Sequence, residues 1–235
     1  MNQTWAIIIT WKDVKIVFGR REAEMTEKNN RTGKFIVFEG LDGSGKTKHI
    51  GLLKEHLVQR GRRIHVTTEP TNSQLGGMLR DALSGITQRS PCEMAALFLL
   101  DRIFHNVNPV SGINKMLSDG YDVICDRYYY SSLAYQGTET DFDWVLAMNI
   151  NCPEIRRPDL CIFLDLDPDI CIKRLQRRTT TDIYETKERL EKYRAAYFRV
   201  FDLLDDRVIV VNTADEIVVA AEKIAKAADD ICNIT

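Results

Sequence analysis

Apolar residues along this chain fall into short blocks separated by longer stretches with helical spacing. From Lys34 onward, β-rich runs at Phe35–Glu39, Arg63–Thr68, Asp122–Asp126, Leu160–Leu166 and Arg207–Val211 alternate with amphipathic segments. Parallel strands need long crossovers, so this order predicts an α/β fold with a five-stranded parallel sheet and helices on both faces. Ligands of such sheets sit at the carboxyl ends of the strands. Residues just after Glu39, Thr68 and Asp126 therefore share one rim.

Residues 1–33 break the pattern. "TWAIIITWKDVKIVFGR" reads as a hairpin or edge strand, and "REAEMTEKNNRTG" as a charged, turn-rich linker. We expect an N-terminal extension without a part in catalysis, with Met25 as an alternative start, followed by one domain over residues 34–235. No internal repeat or low-complexity segment is apparent.

Composition narrows the setting. A chain of 235 residues with 44% hydrophobic content suffices for the core of one such domain. A formal net charge of −2 gives no global attraction to nucleic acid or anionic membrane, so any phosphate partner must be held by locally placed cations. The six cysteines are widely spaced, without C-x-x-C, which suits free thiols in a reducing compartment. The apolar run Ala6–Ile9 is too short for a signal or membrane segment. A cytoplasmic, soluble protein is expected.

The chemistry begins at "FEGLDGSGKT", Phe38–Thr47, whose last eight residues fit G-x-x-x-x-G-K-[ST] between a strand and a helix. In such a loop Gly40, Leu41, Asp42, Gly43, Ser44 and Gly45 present backbone N–H groups to phosphate oxygens, aided by the dipole of the following helix. Lys46 would reach the β- and γ-phosphates of a nucleoside triphosphate, and the Thr47 hydroxyl would bind Mg²⁺. The loop alone fits a GTPase, a motor or a small-molecule kinase.

Other rim residues favour the kinase. In "DRYYYSSLAYQG", Asp126 leaves the third strand where a carboxylate can serve the metal's water shell or the acceptor, and Arg127 can grip a second phosphate. Ser131, Ser132, Tyr135 and Gln136 supply groups for a sugar and a base. In "AALFLLDRIFH", Phe98 and Arg102 are four apart on one helical face, a ring to stack and a fork to bond a base carbonyl, though Phe98 alone also fits the core. "KRLQRRTTTDIYE" reads as a mobile basic lid of the kind that excludes water and neutralises charge during phosphoryl transfer.

Together with "TEP", "RRPDLCIFLDLDP" and "DIYE", in this order and spacing from Lys34 to Ile231, these motifs resemble the thymidylate kinase (dTMP kinase) family of P-loop nucleoside monophosphate kinases. The resemblance implies ATP as donor, dTMP as acceptor and Mg²⁺ as the metal, held by Thr47 and Asp126. It implies Phe98 on thymine, Arg102 on a base carbonyl, and Arg127, helped by Arg80, on the acceptor phosphate. Tyr135 would lie against the deoxyribose and Ser132 would face the base edge. Gln136, Glu69 and Pro70 would complete the acceptor site, with Tyr184 and Glu185 of the lid approaching from above. Family members without a cation among the variable loop positions place the catalytic arginine in the lid; none precedes Lys46 here, so the resemblance implies Arg174 or Arg178, with Arg177 next. A homodimer through the helices bearing Phe98 and its neighbours is also implied.

Two features depart from many members. Thr68 replaces an arginine before Glu69-Pro70, and Lys48-His49 follows the loop where Thr-Gln is common. Alternatives kept open are another pyrimidine deoxynucleotide or nucleoside kinase, and a non-catalytic nucleotide-binding regulator. For Asp42, a carboxylate in an anion nest, the resemblance implies a place facing the acceptor's 3′-hydroxyl or a metal-bound water; otherwise it reads as a turn-forming residue.

Overall fold

The computed structural model of the chain describes residues 32–176, 186–214 and 216–234. Strands β1 (Phe35–Glu39), β2 (Ile64–Thr68), β3 (Asp122–Asp126), β4 (Leu160–Asp165) and β5 (Val208–Asn212) form one parallel sheet in the order β2-β3-β1-β4-β5. The three apolar strands β1, β3 and β4 lie in the middle and are buried along nearly their whole length, while β2 and β5 are edges and only partly covered.

Alternate residues of the central strands serve opposite faces. Phe35, Val37, Val123, Cys125 and Phe163 pack on α5 (Tyr129–Ala134), α7 (Phe142–Ile150) and α9 (Lys187–Leu203). On the other face Ile36, Phe38, Ile124, Ile162 and Leu164 meet α1 (Lys46–Gln59) and α10 (Ile217–Cys232). The remaining helices are α2 (Gln74–Leu83), α3 (Pro91–Val107), α4 (Ile113–Ser118), α6 (Gln136–Glu139) and α8 (Pro168–Leu175). Helix α3, which carries Phe98 and Arg102, starts sharply: Ser90 and Glu93 form a reciprocal capping box, with Pro91 in the first turn.

Strand boundaries differ from those read in the sequence by one residue in three of the five strands. Arg63 stays outside β2, its guanidinium 3.9 Å from the centre of the Tyr121 ring. Leu166 leaves β4 to pack with Leu41 and Cys171, because Asp167 caps α8 and Pro168 cannot extend a central strand. β5 runs from Val208 to Asn212, one residue later than expected.

Polar contacts lock the sheet at the end opposite the rim. Asp122 accepts from the Lys34 amide at 2.8 Å and pairs with the buried Arg62 guanidinium; Asp159 accepts from the Phe35 amide at 2.8 Å. Removing one partner of a buried ion pair leaves an uncompensated charge. Asp122→Ala should therefore lower the unfolding free energy by about 3 kcal/mol in urea denaturation, with both nucleotide KM values unchanged; a loss under about 1 kcal/mol would place the pair among weak surface contacts.

Candidate active site

The phosphate loop joins β1 to α1 and depends on glycine at two close approaches. A Cβ on Gly40 would sit 2.6 Å from the Leu164 carbonyl oxygen, and one on Gly43 2.9 Å from that of Cys171; both residues have positive φ. Lys46 is buried and curls back into the loop, donating to the Gly40 and Leu41 carbonyls at 3.0 and 3.2 Å. Burial, followed by the like charge of Arg127, lowers its pKa. Leu41 is buried beneath the loop, and Ser44 Oγ is buried without a hydrogen-bond partner among the described residues. Arg174 of α8 fastens the loop's far side, donating to the Gly43 and Thr213 carbonyls at 3.2 and 3.3 Å. Thr213 Oγ1 in turn donates to the Ser44 carbonyl at 2.9 Å.

β3 runs beside β1, so its carboxyl end delivers Asp126 and Arg127 next to the loop. Asp126 Oδ1 is buried with no partner among the described residues. Thr47, exposed in the first turn of α1, lines the same cleft of about 690 Å³. A hydroxyl and an unsatisfied carboxylate oxygen are hard donors of the type Mg²⁺ prefers, so these two residues fit that ion.

Arg127 adopts φ 70°, unusual for a residue with a side chain. The bend is held by a carboxylate that the sequence reading missed. Glu39, fully buried at the end of β1, accepts from the Tyr128 amide (2.8 Å) and Ser131 amide (3.2 Å) on one oxygen. Its other oxygen accepts from the Ser131 hydroxyl (2.7 Å) and the Tyr197 hydroxyl (2.8 Å). Burial raises the Glu39 pKa, while Arg127 and these donors pull it down. The Arg127 guanidinium then reaches Ser131 Oγ at 3.0 Å and Tyr197 Oη at 3.3 Å, and pairs with Asp42 Oδ1 at 2.6 Å. Although burial opposes ionisation of Asp42, the charges of Arg127 and Lys46 outweigh it and hold the carboxyl well below its usual range.

Beyond this ion pair lies a cavity of about 270 Å³. Glu69, Pro70, Phe98 and Arg102 line it together with Asp42, Arg127, Tyr135 and Gln136, so most expected acceptor residues converge. Phe98 is half-buried at this cavity and belongs to none of the core clusters. The Glu69–Pro70 peptide is cis.

Three residues sit differently from expectation. Ser132 lies behind the cavity wall, where its hydroxyl accepts from Arg102 Nη2 at 3.1 Å. Arg102 itself is buried, its guanidinium held by Glu69 (Nε to Oε2, 2.9 Å), Ser132 and Asn149. The acceptor that a buried guanidinium requires is thus the protein's own carboxylate. Arg80 is exposed and donates to the Thr71 carbonyl at 2.6 Å, outside the cavity lining. Arg177, Arg178, Tyr184 and Glu185 lie outside the described residues.

Sequence reasoning also missed Tyr193, Arg189 and His105. Tyr193 and Arg189 of α9 line the cavity, and the Tyr193 ring lies 4.3 Å from that of Tyr135. The signal was the inward stripe Tyr193, Tyr197, Val200 in "EKYRAAYFRVF". His105 touches Glu69 from the opposite side to Arg102.

A family model described as thymidylate kinase matches residues 38–224. A probable thymidylate kinase of Pyrococcus horikoshii is 39% identical over 186 residues, 76% of this chain and 87% of that protein. A thymidylate kinase of Leptospira borgpetersenii is 38% identical over 78% of this chain and 89% of its own length. For a probable thymidylate kinase of Archaeoglobus fulgidus the identity is 31%, over 85% of this chain and 96% of that one. The matched span runs from the phosphate loop through both walls of the acceptor cavity to α10, and on that ground the chain belongs to the thymidylate kinase family and is an ATP-dependent dTMP kinase.

Proposed function

We propose that this dTMP kinase works by direct in-line transfer of the ATP γ-phosphoryl group, giving dTDP and ADP, with residues 34–235 as the catalytic unit. The observation that carries this reading is the Asp42–Arg127 ion pair, which stands where the phosphate loop meets the acceptor cavity. Loop N–H groups and Lys46 hold the donor phosphates, Lys46 exchanging the Gly40 and Leu41 carbonyls for phosphate oxygens. Thr47 and Asp126 hold Mg²⁺, which supplies charge neutralisation at the donor phosphates. Arg127 binds the dTMP phosphate, Phe98 stacks on thymine, and Arg102, whose guanidinium is mostly bonded to Glu69, Asn149 and Ser132, bonds a base carbonyl with a remaining N–H. Tyr135 packs on the deoxyribose, with Gln136 beside it, and Asp42 accepts from the 3′-hydroxyl. The transition-state cation comes from the last turn of α8 or the segment after it: Arg174, already docked on the loop, or Arg178, with Arg177 next. No covalent enzyme intermediate is needed, since positioning and charge neutralisation supply the catalysis.

The same reading includes a homodimer. Leu100, Phe104 and Val107 of α3 are exposed at i, i+4 and i+7, an apolar stripe on the helix that carries the base-binding residues. It also includes a reducing cytoplasm, supported by six free thiols, four of them buried. No helix among the described residues is long and apolar enough to cross a membrane.

Lys46→Ala should lower kcat by at least about a hundredfold in a coupled ADP-release assay; near-normal turnover would sink the mechanism. Asp42→Ala should raise KM for dTMP more than KM for ATP, whereas equal rises would reduce Asp42 to a loop-shaping residue. In light scattering, the double variant Leu100→Glu, Phe104→Glu should shift a dimer to monomer; an unchanged mass would move the interface elsewhere.

A further inference from the structure

Glu69 divides its carboxylate between two buried partners. Oε2 accepts from Arg102, and Oε1 lies 3.0 Å from Nδ1 of His105, three residues further along α3. Glu69, Arg102 and His105 are 3, 1 and 5% exposed, so none of these contacts is diluted by water. A carboxylate can only accept, so His105 Nδ1 carries a proton toward Glu69. In the neutral ring Nε2 is then an acceptor, and the Thr67 hydroxyl, 2.7 Å away, is its donor. The chain Thr67–His105–Glu69–Arg102 thus runs from the exposed edge of β2 to the acceptor cavity.

We propose that His105 is a positioning residue for dTMP binding. A glutamate carboxyl turns freely about its last torsion unless both oxygens are held. His105 fixes the oxygen that Arg102 does not, so the carboxylate plane, and with it the guanidinium plane at the cavity wall, has one orientation. The sequence explains why this support falls to a histidine from α3: Thr68, immediately before Glu69, has no charge to offer and turns its hydroxyl to the Asp126 carbonyl at 3.2 Å. This inference rests on the reading that Arg102 contacts the acceptor base.

The test is steady-state kinetics and thermal melting of the full chain carrying His105→Leu, His105→Asn, Thr67→Val or Arg102→Lys. His105→Leu should raise KM for dTMP about tenfold, with a smaller change in kcat and KM for ATP within about twofold. His105→Asn, which restores an N–H toward Glu69, should recover most of that loss. Thr67→Val, a substitution on an edge strand, should move KM for dTMP in the same direction by about threefold, and serves if His105→Leu fails to fold. An unchanged KM for dTMP, an equal rise in both KM values, or no recovery in His105→Asn overturns the inference. If Arg102→Lys raises KM for dTMP while the His105 and Thr67 variants do not, only the positioning role fails. If Arg102→Lys has no effect, the reading beneath it fails.

Discussion

A single buried carboxylate organises the junction between the two nucleotide sites. Glu39 ends the central strand and would be costly to bury alone, yet two amides and two hydroxyls converge on it from the turn after β3, from α5 and from α9. The price is met by the fit: the same four bonds impose the left-handed bend at Arg127 and seat α5 against the strand that feeds the phosphate loop. Parallel pairing of β1 with β3 brings the two loops together, and Glu39 fixes their relative position.

Charge at the junction alternates. Lys46, Asp42 and Arg127 follow one another at 3.6 and 2.6 Å, with Glu39 behind Arg127. Two adjacent cations would repel, and the Asp42 carboxylate between them favours the charged form of each. Under the proposed function, the acid in the anion-binding loop serves two cations that face two substrates. A second shared carboxylate, Glu69 between Arg102 and His105, stands at the wall of the cavity beyond the ion pair.

Much of this was legible in the sequence because it depends on local spacing. Strand limits were read to within a residue, since charged residues or glycine flank most of the apolar runs. The phosphate loop and the Phe98–Arg102 pair are fixed by motif and helical period. What escaped depends on meetings between distant elements. Nothing near Asn149 marks it as a partner of Arg102, and Glu39 looks like one acid at a strand end until α9 supplies Tyr197. Ser132 was placed at the base edge by the family resemblance, but on the short helix α5 it lies behind the wall, against Arg102. Arg80 was placed by motif order, yet its side chain is drawn to the Thr71 carbonyl.

The central claim is that the Glu39 turn holds Arg127 where it binds the acceptor phosphate. Calorimetric binding of dTMP and of thymidine, which lacks that phosphate, to the unmodified protein and to Glu39→Gln tests it most directly. The account predicts that the affinity gap between the two ligands shrinks about tenfold or more in Glu39→Gln, with thymidine binding little changed. An unchanged gap, or an equal loss for both ligands, would contradict it.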